Sequence, residues 1–178
     1  MNVVLVGYRG TGKSAVAQRL GRHLKWTVVS LDAAIVQAAG EPIPEIVRQR
    51  GWPGFRDLEE QVVRDAAAGD GQVIDCGGGV VERPANFEVL RAAGHVFWLK
   101  ASPQVIVQRI QTDDQRPSLT GRVSFTDEVV EVLERRTPLY ARLAHHEVDT
   151  DQRSEDQVAA EICRLLPNAP PYPPTAGA

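Results

Sequence analysis

The chain has 178 residues, 43% of them hydrophobic, with 20 Lys and Arg against 23 Asp and Glu for a formal net charge of -3. That balance gives no general attraction to nucleic acid or an anionic membrane, so any cationic site is local; the length suits one domain burying roughly 70% of its unfolded surface. Cys76 and Cys163 stand far apart in unlike contexts, which excludes a disulfide framework and a CxxC metal site and points to free thiols in a reducing compartment.

The first run, Val3 to Val6, reads as a strand. It opens the chain in place of a basic and apolar leader, and no run approaches a membrane span, so a cytoplasmic protein is expected. Further short runs rich in β-branched and aromatic residues fall at 26–31, 72–76, 95–99 and 146–150. Helical patterns alternate with them over 14–24, 55–68, 87–93, 103–110, 126–143 and 154–166. This alternation predicts a three-layer α/β domain around a largely parallel sheet, spanning residues 1–166. Two regions interrupt it. Residues 33–68 carry several helical pieces broken at Gly40, Pro42, Pro44 and Gly51 to Gly54, which predicts a small helical insert at about 33–61. Residues 111–124, QTDDQRPSLTGRVS, are polar with Pro and Gly and suit a lid loop. The tail from Pro167, PNAPPYPPTAGA, is proline-rich and expected to be disordered. No long apolar stripe lacks an intramolecular use, so a monomer is expected.

GYRGTGKS, Gly7 to Ser14, follows the first strand and opens the first helix, matching G-x-x-x-x-G-K-[ST] in its required context. There Gly10, Thr11, Gly12 and Ala15 supply backbone groups that turn toward phosphate oxygens. Lys13 reaches the outer phosphates and Ser14 can ligate Mg²⁺. Such a cradle identifies a nucleotide rather than a reaction. The insert and the lid-like loop favour a small-molecule kinase over a switch or motor. Asp32, at the expected end of the second strand, can take or orient an acceptor hydroxyl's proton; its alternative reading is the N-cap of a helix from Ala33. The triplet Gly77, Gly78, Gly79 reads either as a turn or as a floor without Cβ atoms that lets backbone approach a ligand.

The motifs GYRGTGKS, LDAAI, GFRDLE, CGGG, RPSLTG and RRTPLY followed by VDT, in this order from Val3 to Leu166, make the chain resemble the shikimate kinases. The resemblance implies a P-loop, nucleoside-monophosphate-kinase-like fold with a five-stranded parallel sheet, and transfer of the γ-phosphate of ATP to the 3-hydroxyl of shikimate with Mg²⁺. Carried over by motif, the acceptor-contacting aspartate falls on Asp32, the carboxylate-binding arginines on Arg56 and Arg136, and the glycine triplet on Gly77 to Gly79. The lid arginine falls on Arg116, the two arginines flanking adenine on Arg109 and Arg153, and an acid supporting Arg56 on Glu59. Two guanidinium forks suit a compact acid better than lysines would.

One departure stands out. Many members carry two aspartates at the end of the second strand, where this chain has Ser30-Leu31-Asp32, while Asp75 closes the third strand. Asp75 is therefore expected to take part of the Mg²⁺ shell, through water, because Mg²⁺ keeps several waters and needs only one or two carboxylates; its alternative is a turn-forming Asp before glycines. A kinase for quinate or gluconate, and a nucleotide-binding regulatory module without chemistry, are the competing readings.

Overall fold

The computed structural model describes residues 1–110 and 125–174, with backbone alone at Phe125. The expected lid at 111–124, with Arg116, lies outside the described residues. Five strands form one sheet: β1 (Asn2–Val6), β2 (Thr27–Ser30), β3 (Gln72–Asp75), β4 (Gly94–Lys100) and β5 (His146–Asp149), in the order β2-β3-β1-β4-β5. Every pairing is parallel. A parallel sheet is covered on both faces, which is why its strands read as continuous apolar runs.

Alternation along β1 sends Val4 and Val6 to one face and Val3 and Leu5 to the other, all fully buried. On the first face pack α2 (Leu31–Ala39), α3 (Ile43–Ala67), α4 (Ala85–Ala93) and the end of α6 (Phe125–Leu143), through residues such as Ile35, Val63, Leu90 and Tyr140. On the second pack α1 (Lys13–Leu24) and α7 (Glu155–Leu165), through Leu20 and Ile162. A third cluster joins Tyr8 to α5 (Pro103–Ile110) and α6 through Ile106 and Val132. No helix among the described residues is long and apolar enough to cross a membrane.

Two local expectations change. The second strand ends at Ser30, so Asp32 stands in the first turn of α2 instead of at a strand end. Ser30, not Asp32, caps that helix, its hydroxyl accepting from the Ala33 N–H at 3.3 Å. The helical insert is α2 followed by α3, which bends at Gly51, where φ is 66° and a Cβ would be strained. Pro53 then restarts the helix with its φ already set.

In the described part of the tail, expected to be disordered, Tyr172 packs against the fold. The Tyr172 hydroxyl donates to Asp156 Oδ1 at 3.0 Å, and its ring lies 4.8 Å from that of His23. Proline-rich composition reports a poor core-former, but one amphipathic Tyr with a half-buried body and a bonded tip can dock a short segment.

Candidate active site

The glycine-rich loop between β1 and α1 holds its shape through Tyr8, whose carbonyl accepts from Thr11 Oγ1 at 2.8 Å and from Lys13 Nζ at 3.0 Å. Gly10 and Gly12 take φ of 79° and 86°, conformations open to glycine. No side chain caps the N-terminus of α1. Its first N–H groups, and the positive end of the helix dipole, are thereby presented to an open cavity that Lys13, Ser14, Asp32 and Asp75 also line. Ser14 Oγ donates to Asp75 Oδ2 at 2.6 Å. Among the described residues no cluster of three His, Cys, Asp or Glu forms a metal cage. A hydroxyl and one carboxylate beside a phosphate cradle nevertheless suit Mg²⁺, which keeps several waters and takes phosphate oxygens for the rest of its shell.

A second cavity adjoins the first; Arg9, Asp32, Gly77 and Gly78 line both. Arg56 and Arg136 face it from α3 and α6. Each is braced by a carboxylate. Arg56 NH1 donates to Glu59 Oε2 at 2.7 Å, one turn along the same helix, while the Arg56 guanidinium also lies over Trp52 and Phe55 at 5.4 and 5.1 Å from the ring centroids. Arg136, only 3% exposed, donates from Nε to Glu82 Oε1 at 2.7 Å and from NH1 to the Gly78 carbonyl at 3.3 Å. The Tyr140 hydroxyl, one turn further along α6, donates to the same carbonyl.

These contacts set the local electrostatics. Burial raises the Glu59 carboxyl above its ordinary value, with the Arg56 charge and hydrogen bond opposing. Burial also pushes Glu82 upward, but the hydrogen bond and charge of Arg136, then of Arg135, carry it below the usual carboxylate value. The cavity therefore joins three arginines, Arg9, Arg56 and Arg136, to apolar walls and a carboxylate at the boundary with the phosphate cradle. That arrangement has the chemistry to accept a small organic anion beside the phosphate cradle.

A sequence model described as shikimate kinase matches residues 9–167. The chain belongs to the shikimate kinase family. A shikimate kinase of Nitratidesulfovibrio vulgaris strain Hildenborough is 41% identical over 152 residues, covering 84% of this chain and 86% of the relative. Shikimate kinase 2 of Sodalis glossinidius is 37% identical over 171 residues, with 94% and 97% covered. Among solved structures, a shikimate kinase from Acinetobacter baumannii in complex with shikimate superposes with a TM-score of 0.88 at 30% identity, covering 92% of this chain and 91% of that one.

Within this shikimate kinase fold, all three glycines of the triplet line the arginine-bearing cavity. None of Gly77, Gly78 or Gly79 has a positive φ, so they are not there for a left-handed turn. A Cβ on Gly79 would overlap the Arg56 guanidinium, and one on Gly77 would stand 2.7 Å from Asp32 Oδ1. On Gly78 it would press the backbone N of Arg9 at 3.3 Å. The space freed by the triplet is filled by the chain's own site groups. Arg109 and Arg153 line a separate groove with Thr11 and Gly12. There Arg109 donates to the Gly10 carbonyl at 3.3 Å and to the Thr150 carbonyl at 2.7 Å.

Sequence reasoning missed Glu82, Tyr8, Trp52 and Tyr140. The spacing of Arg136 and Tyr140, four apart on one helix, was a usable sign that both face Gly78. Glu82 gives no periodic signal, because it sits in a single 3₁₀ turn, Val80–Glu82.

Proposed function

We infer that this chain transfers the γ-phosphoryl group of ATP to the 3-hydroxyl of shikimate, giving shikimate 3-phosphate and ADP on the way to the aromatic amino acids. The single observation that carries this reading is the wall shared by the two cavities: Asp32, Gly77 and Gly78 stand between a phosphate cradle and an arginine-lined pocket.

In this reading Arg56 and Arg136 bind the acceptor carboxylate as two forks, which fixes the ring so that a hydroxyl points at the cradle. Asp32 orients that hydroxyl and takes its proton as the oxygen attacks phosphorus. Gly10, Thr11, Gly12 and Ala15 hold the phosphate chain from the loop and the start of α1, and Lys13 neutralises the oxygens of the transferring group. Arg109 and Arg153 bound the groove next to the loop, where the adenine fits. Arg116 would add a further positive charge on closure. Ser14, and Asp75 through water, would hold Mg²⁺, which when bound would neutralise charge on the phosphate oxygens.

The test is ADP formation from Mg·ATP with shikimate, quinate or gluconate as acceptor. Expected is turnover with shikimate at a kcat/KM well above the other two, with phosphate found on the 3-hydroxyl. ATP binding without shikimate-dependent ADP overturns the reading, and preference for another hydroxy acid replaces the acceptor.

A further inference from the structure

Arg136 is a nearly fully buried cation on α6, and its orientation rests on a carboxylate from a different element. Glu82 ends the 3₁₀ turn that follows the glycine triplet, and its Oε1 accepts both from Arg136 Nε at 2.7 Å and from Arg135 NH2 at 2.8 Å. We propose that Glu82 is a positioning residue for the acceptor's acid end: it fixes the Arg136 guanidinium by its inner nitrogen and so aims the terminal nitrogens at the pocket. This rests on the acceptor reading above.

Three features support it. An arginine side chain carries several rotatable bonds, and a fork is specific only when its plane is fixed. The other arginine has its own brace in Glu59, one turn away and 1% exposed, so each of the two forks is held by one acid. Glu82 also belongs to the same short stretch as Gly78, whose carbonyl accepts from Arg136 NH1 at 3.3 Å, so floor and fork are set by one segment. The Glu82 side chain is 25% exposed, beside a rim arginine, Arg135, that is 55% exposed. Its geometry is thus not imposed by close packing, and its carboxylate is tied by hydrogen bonds to Arg136 and Arg135.

The test compares Glu82→Ala, Glu82→Gln, Arg136→Lys and the Glu82→Ala/Arg136→Lys pair. Expected for Glu82→Ala is an acceptor KM raised about 10-fold, with kcat and ATP KM within about twofold. Glu82→Gln, whose amide oxygen still accepts from Nε, should recover most of that loss. The double variant should be little worse than Arg136→Lys alone. Independently of turnover, the Arg136 Nε–H resonance of the ¹⁵N-labelled protein should be protected from exchange in wild type and Glu82→Gln and lost in Glu82→Ala. Equal rises in both KM values, additive losses in the double variant, or a protected Nε–H in Glu82→Ala each overturn the proposal. Inactivity of the wild type toward shikimate would overturn the acceptor reading instead, and the resonance would still decide whether Glu82 holds Arg136.

Discussion

Ser14 and Asp75, 61 residues apart in sequence, are joined by a 2.6 Å hydrogen bond at the mouth of the phosphate cradle. One belongs to the first turn of α1 and the other to the last position of β3, so the bond ties the loop's helix to the end of an interior strand of the sheet. If the pair also holds Mg²⁺, Asp75→Asn keeps the shape and removes the charge. Titration of Mg²⁺ in the kinase assay should show a half-saturating concentration raised about 10-fold, as for other outer-shell groups. An unchanged requirement in a folded variant removes Asp75 from the metal's surroundings.

Asp32 lies where both cavities meet, and its carboxylate occupies the space beside Gly77. Asp32→Asn should lower kcat about 100-fold or more while ATP affinity, measured by calorimetry, stays within about twofold. Retention of most of the turnover would mean that positioning by the arginines suffices.

The triplet separates into two kinds of glycine. Gly79→Ala meets only the flexible end of Arg56. It should raise acceptor KM about 10-fold, equivalent to about 1.4 kcal/mol, with little change in Tm or ATP KM. Gly78→Ala meets the backbone of Arg9 in the phosphate loop, and so should weaken both substrates together. Equal behaviour of the two variants would contradict this division.

Glu82 supplies a pH dependence with a definite sign. Its folded value lies below the ordinary 4.5, so its ion pairs add stability above that value and lose it as pH falls through the lowered one. The Tm difference between wild type and Glu82→Gln should therefore be largest from about pH 5 upward and shrink toward pH 3. A difference constant across that range would mean that Glu82 is not ionised where the arginines meet it.

Much of this was legible in the sequence, and the reasons differ by region. The strands could be read because a sheet covered on both faces demands apolar runs, and the phosphate loop because glycine, lysine and hydroxyl occur at a spacing few other structures require. Asp32 was placed on a strand because WTVVSL is β-branched up to Ser30, and nothing local marks Ser30 as a cap when the next acid competes for the role. The pairing of Arg56 with Glu59 follows from helical spacing, whereas that of Arg136 with Glu82 bridges 54 residues and depends on how α6 crosses the glycine stretch. Composition alone condemned the tail, but composition has no means of seeing that Tyr172 finds both an aromatic neighbour and a carboxylate on α1 and α7.

The register of the sheet also makes it a ruler. Ser30 and Asp75 are direct partners across β2 and β3, and Leu5 is level with Asp75 across β1. An acid transposed from position 75 to position 30 would move sideways by one strand spacing, about 4.8 Å, without changing its depth. It would keep its footing too, because aspartate serves as well as serine at the N-cap that Ser30 fills. The charge beside the phosphate loop can thus be shifted along a row while the fold stays fixed, and the pair Ser30→Asp with Asp75→Ser would measure how far sideways that charge can lie and still serve the metal.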